Sequence, residues 1–119
     1  GWDEEEEEKV VKAAPKVNKK ENKKQRSALI TERNKLTSPL KKEVDKLEQK
    51  IMELEDELEA KQDELIQASN TGDNSKVIEL SSAVLKIEKE VEEKFEALEE
   101  KQTKVDELTF EYDKKLEEL

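Results

Sequence analysis

The chain has 119 residues, of which 32% are apolar, 3% aromatic and 47% charged, with a formal net charge of −10; so little apolar material cannot fill a rounded core, but it can close a thin seam between helices, as in coiled coils. Cys and His are absent, which excludes disulfides, thiolate or imidazole metal sites, cysteine nucleophiles and histidine general bases. No apolar run approaches the roughly 18 residues of a membrane span, and the acidic start is the opposite of a signal-peptide n-region, so a cytoplasmic location without membrane contact is expected.

The chain opens Gly1-Trp2, as expected of a segment cut from a longer polypeptide or of a tag remnant. Residues 1–8 hold one Asp and five Glu, and residues 9–18 show no sustained helical period, so residues 1–18 read as an acidic, flexible linker. Asn18 and Glu21 have the spacing of an N-cap and its reciprocating glutamate, which starts a basic helix over about 19–37. Ser38-Pro39 follows. Proline lacks an amide donor and disfavours helical geometry before it, yet suits the first turn behind a serine cap, so a break or kink is expected at Ser38.

Beyond the proline, Leu40, Val44, Leu47, Ile51, Leu54 and Leu58 are spaced 4-3-4-3-4. Lys61 takes one seam position before Leu65 and Ala68 resume the repeat, which gives a first long helix over 38–69. Residues 70–75 concentrate turn formers, with Gly72 suited to a left-handed C-cap and Asp73, Asn74 or Ser75 to an N-cap. A second long helix over 76–119 carries Val77, Val84, Val91, Leu98, Val105, Tyr112 and Leu119 at one seam position. Leu80, Ile87, Lys94, Lys101, Leu108 and Lys115 stand at the other, with lysine stems lying along apolar surface and Phe95 and Leu116 widening the stripe.

A short connection makes the long helices antiparallel and pairs residues whose numbers sum to about 145. Leu40 then lies near Val105, Leu36 near Thr109 and Leu29 near Leu116, and the returning helix is the longer one. The expected fold is all-α: an antiparallel two-helix coiled-coil hairpin with a short basic helix before a proline break. A hairpin that closes its own seam is expected to be a monomer.

Glycine occurs only at Gly1 and Gly72, so no phosphate-cradling loop or dinucleotide fingerprint exists within the chain. Carboxylate runs such as Glu53, Glu55, Asp56, Glu57 and Glu59 read as solvated helix faces rather than as metal ligands. The chain itself is expected to be neither an enzyme nor a cofactor binder. Charge is divided unevenly, with thirteen Lys or Arg against four Asp or Glu in residues 9–46, and ten against twenty-three in residues 47–119. Lys16, Lys19, Lys20, Lys23, Lys24, Arg26, Arg33, Lys35, Lys41 and Lys42 are therefore the candidate nucleic-acid contacts, because clustered cations release counterions on meeting a phosphate backbone. No aromatic residue interleaves with them, so contact to phosphates and shape is expected, with little base readout. Solvation and pairing with acidic residues is the competing reading of the same cations.

The order of these features resembles the C-terminal extension of ABC-F ATPases, most closely the Uup type. The likeness rests on the basic run Glu21-Asn22-Lys23-Lys24-Gln25-Arg26, the proline-led start Ser38-Pro39-Leu40-Lys41-Lys42-Glu43-Val44-Asp45-Lys46-Leu47-Glu48, the turn near Gly72 and a longer returning helix. Gly1-Trp2-Asp3 and the acidic run also look like the point where a second ATP-binding cassette gives way to its linker. The resemblance implies a parent that hydrolyses ATP and acts on the ribosome, with ATP, magnesium and every catalytic residue upstream. It also implies that this segment is a DNA-, ribosomal-RNA- or ribosome-binding appendage. Since the turn carries no basic residue before Lys76, the expected contacts fall on the segment before Lys46. A structural spacer or protein-interaction coiled coil is the alternative, and a tRNA-binding arm such as that of seryl-tRNA synthetases is the third.

Overall fold

A computed structural model describes residues 16–119, with side chains from Lys20 onward; residues 1–15 of the expected linker lie outside the described residues. Two helices account for nearly all of them: α1 (Lys16–Thr71, 56 residues) and α2 (Asn74–Glu117, 44 residues). The fold is the expected all-helical, antiparallel hairpin.

The turn between the helices is shorter than the six residues its composition suggests. Gly72 has φ +72°, and its amide donates to the Ser69 carbonyl at 3.3 Å while the Asp73 amide donates to the Ala68 carbonyl at 3.1 Å. That pair of bonds is a Schellman motif, which satisfies carbonyls orphaned at the end of α1 and favours glycine at the left-handed position. Asp73 then caps α2, its Oδ1 accepting from the Lys76 amide at 3.2 Å and its carbonyl from the Val77 amide at 3.0 Å. Reversal is thus complete in Gly72-Asp73, and Asn70, Thr71, Asn74 and Ser75 are helical.

Burial follows the heptad. Val44, Ile51, Leu54 and Ala68 of α1 and Leu80, Val84, Ile87 and Val105 of α2 are buried, and the interrupting Lys61, Lys94 and Lys101 are half-buried. Lys61 Nζ lies 3.5 Å from Glu64 Oε2 and Lys101 Nζ lies 3.2 Å from Glu43 Oε2. Lys61 and Lys101 cover the seam with their stems while their ammonium groups reach these carboxylates at its rim. Phe95 is 45% exposed and does not widen the buried stripe. Lys115 is also exposed, and Leu116 is half-buried beside it.

The proline break is not observed: α1 runs through Pro39. The ring removes the amide that would bond the Lys35 carbonyl and crowds that carbonyl, at a cost of about 3 kcal/mol. The seam explains why the helix continues nonetheless. Ile30, Arg33, Thr37, Leu40 and Val44 keep the 3-4-3-4 spacing across the proline, and each is at least half-buried. A break would throw the two stripes out of register. The basic segment is therefore the first part of α1 rather than a separate helix, and α1 is longer than α2, the reverse of the expectation. The same register corrects one seam position, since Leu36 is 46% exposed whereas its neighbour Thr37 is 2% exposed. Helix also begins at Lys16, ahead of the Asn18 cap, so Asn18 and Glu21 are internal to α1.

Close contacts divide the chain into two units. In Ser38–Asp106, the Glu43 and Lys101 pair has residue numbers summing to 144. In the unit formed by α1 up to Thr37 together with Glu107–Leu119, Arg33 and Asp113 sum to 146. Both agree with the antiparallel register expected from the turn.

Candidate nucleic-acid interface

Lys20, Lys23, Lys24, Ser27, Ala28, Thr31, Glu32 and Lys35 line one shallow concavity on α1. Their spacing alternates between three residues and one from Lys20 to Lys35, which places them along a single helical face. All eight are exposed. Small side chains at Ser27, Ala28 and Thr31 leave room between the lysines, a feature that counting cations alone misses. An extended anion can lie there within reach of several ammonium groups.

Glu32 is the one carboxylate in the lining, and it also serves the neighbouring helix. Tyr112 is 4% exposed, and burial first, then its hydrogen bond with Glu32 and the nearby Glu32 and Glu111 charges, raise its phenol above the ordinary 10.0. Each of these effects disfavours the phenolate. Lys115 Nζ stands 4.6 Å from the Tyr112 ring centroid.

The ten sequence candidates separate into groups. Lys20, Lys23, Lys24 and Lys35 share the concavity. Arg26 is exposed elsewhere on the same segment, and Lys41 and Lys42 are exposed in the other unit. Lys16 and Lys19 belong to α1, but their side chains lie outside the described residues. Arg33 is displaced from the group, because its seam position turns it to α2. Its Nη1 lies 3.7 Å from Asp113 Oδ1, with the side chain 26% exposed, and Nε and Nη2 donate to Asn34 Oδ1 at 3.4 and 3.3 Å. Asn22 Nδ2 donates to the Leu119 carbonyl at 3.1 Å and also ties α1 to the end of the second helical segment. Arg33 and Asn22 are therefore structural before they are anything else.

Among the described residues no group of three or more Asp or Glu could hold a metal ion, and no glycine-rich loop exists to cradle phosphates. No described helix is long and apolar enough to cross a membrane.

A family model described as the ABC transporter C-terminal domain matches residues 35–100. No curated protein and no solved structure matches. The matched span contains Lys35, Lys41, Lys42, the heptads of α1 and the turn at Gly72, while Lys20, Lys23 and Lys24 precede it. Since this span covers more than half of the chain, and a capped antiparallel hairpin is the structure it adopts, the chain belongs to the ABC transporter C-terminal domain family, the coiled-coil extension found in ABC-F and Uup proteins.

Proposed function

We propose that this domain is a nucleic-acid- or ribosome-binding appendage of an ABC-F ATPase, contacting the phosphate backbone of DNA or ribosomal RNA through the first part of α1. The observation that carries this reading is the convergence of Lys20, Lys23, Lys24 and Lys35 on one exposed face with small residues between them. Contact of this kind is electrostatic and reads shape rather than base edges. ATP hydrolysis and magnesium belong to cassettes elsewhere in the parent, so the appendage is non-catalytic, works in the cytoplasm and folds as a monomer.

The test is titration of the chain against ribosomes, ribosomal RNA and duplex DNA at several salt concentrations. It is repeated with a variant carrying Lys20→Gln, Lys23→Gln, Lys24→Gln and Lys35→Gln, with Arg33 retained because of its contact with Asp113. Saturable, salt-sensitive binding by the parent chain is expected, with weaker binding and a salt slope shallower by about 0.9 per lost duplex contact in the variant. Equal binding by both chains, or none by either, overturns the assignment and leaves a structural spacer or protein-interaction coiled coil.

A further inference from the structure

The exposed face of α1 sets Lys20, Lys23, Lys24 and Lys35 against a single carboxylate, Glu32. Ion pairs among the described residues engage Arg33, Lys61 and Lys101, and none of these four lysines. The densest counter-charge stands earlier in the chain. Asp3, Glu4, Glu5, Glu6, Glu7 and Glu8 are consecutive carboxylates with no cation among them.

These six lie outside the described residues, but covalent geometry limits where they reach. Helix α1 begins at Lys16, so only residues 9–15 separate Glu8 from it. A segment of that length spans at most about 25 Å, and Lys20 is about 6 Å beyond Lys16 along the helix axis. A chain that doubles back on α1 therefore brings Glu8 to Lys20 with length to spare.

The two rows of charge also match in extent. From Lys20 to Lys35 is about 22 Å of helix at 1.5 Å per residue, and six extended residues cover about 20 Å. Ser27, Ala28 and Thr31 have small side chains, which leave room for a peptide backbone between the flanking lysines. Tethering supplies the rest. A short linker holds the run at an effective concentration in the millimolar range, so exposed ion pairs that are individually weak suffice to populate the contact at low ionic strength.

We propose that the acidic run of residues 3–8 folds back on α1 and occupies the lysine face, as an internal competitor for the phosphates that this face binds. The competition rests on the phosphate-binding reading; the contact itself does not. The run carries one negative charge per residue, as a nucleic-acid strand carries one per nucleotide, and it meets the same ammonium groups. A phosphate backbone that makes more contacts displaces it, so weak polyanions are held off and strong ones are not.

Two measurements on the full chain test this. Carbodiimide coupling at low salt, mapped by mass spectrometry, is expected to join carboxylates of residues 3–8 to Lys24 and Lys35 within one molecule, and to lose these links at high salt. Titration with a short DNA duplex is expected to show about fivefold tighter binding after Asp3→Asn with Glu4→Gln, Glu5→Gln, Glu6→Gln, Glu7→Gln and Glu8→Gln, a gap that narrows as salt rises. A control removes the same amount of charge from exposed positions of Ser38–Asp106, through Glu53→Gln, Glu55→Gln, Asp56→Asn, Glu57→Gln, Glu59→Gln and Asp63→Asn. It should bind nearly as the parent chain does. Absence of the cross-links overturns the inference, as does their confinement to a cross-linked dimer, which would give the face to the run of a second copy. Equal duplex binding by the parent and neutralised chains overturns it too, and so does an equal gain in the control, which would make the effect one of bulk charge. Failure of every chain to bind duplex overturns the phosphate-binding reading instead, and the cross-links alone then decide the contact.

Discussion

Within Ser38–Asp106 the seam buries eight apolar residues, whereas the unit that joins the start of α1 to Glu107–Leu119 buries Thr37 and Tyr112 and leaves Leu29, Ile30, Leu108 and Leu116 half-buried. A fully buried aliphatic side chain stabilises by about 1.5–3 kcal/mol, while partly exposed ion pairs such as Arg33 with Asp113 contribute on the order of 1 kcal/mol or less. The acidic unit is thus closed mainly by apolar burial, and the basic unit leans on polar contacts as well. Clustered lysines repel one another, and the segment that carries them has the thinner seam.

The largest effect that sharpens this contrast is expected in the acidic unit. Leu54→Ala should cost about 3 kcal/mol through lost burial and the cavity left behind, whereas Ile30→Ala, at a half-buried position, should cost about 1 kcal/mol. Urea denaturation followed by helicity measures both. Equal losses would break the contrast.

Pro39→Ala should act in the opposite direction. It restores the missing amide within α1 and relieves crowding at the Lys35 carbonyl, for a gain of up to about 3 kcal/mol. No gain would mean that the helix already accommodates the ring at little cost, and the same urea experiment reads it.

The smallest effect is confined to alkaline pH. Because the folded phenol of Tyr112 titrates above its ordinary 10.0, its contribution is fully present below about pH 10 and is lost as pH rises through the folded value. Stability of the chain should therefore fall with pH above about 10, and Tyr112→Phe should flatten that part of the profile. A profile identical in the two chains would remove Glu32 and burial as the cause.

The turn and the acidic unit were legible in the sequence because each rests on local chemistry. Gly72 and Asp73 are the residue types their backbone positions require, and a sustained 4-3 spacing, interrupted at Lys61, Lys94 and Lys101, marks the buried side of each helix. The proline was misjudged by the same local logic. Its cost is real, but one missing amide is weighed against a stripe extending from Ile30 to Ala68, and the longer-range term wins. The antiparallel pairing rule alone places Leu36 near Thr109, while the unbroken register puts its neighbour Thr37 in the seam. Of the candidate site, the cations were visible as a cluster, but their division between an open face and a seam position was not.

Sequence by itself determined that this chain forms helices, where it reverses, which stripe each helix buries and how charge is divided along it. Those properties follow from side-chain spacing, cap residues and composition. Only the tertiary structure decided that α1 continues through Pro39, and that Arg33 turns to Asp113 while Lys20, Lys23, Lys24 and Lys35 share an open face. Each of these depends on the register between helices, which is set by packing along the whole seam and not by any one residue's preference.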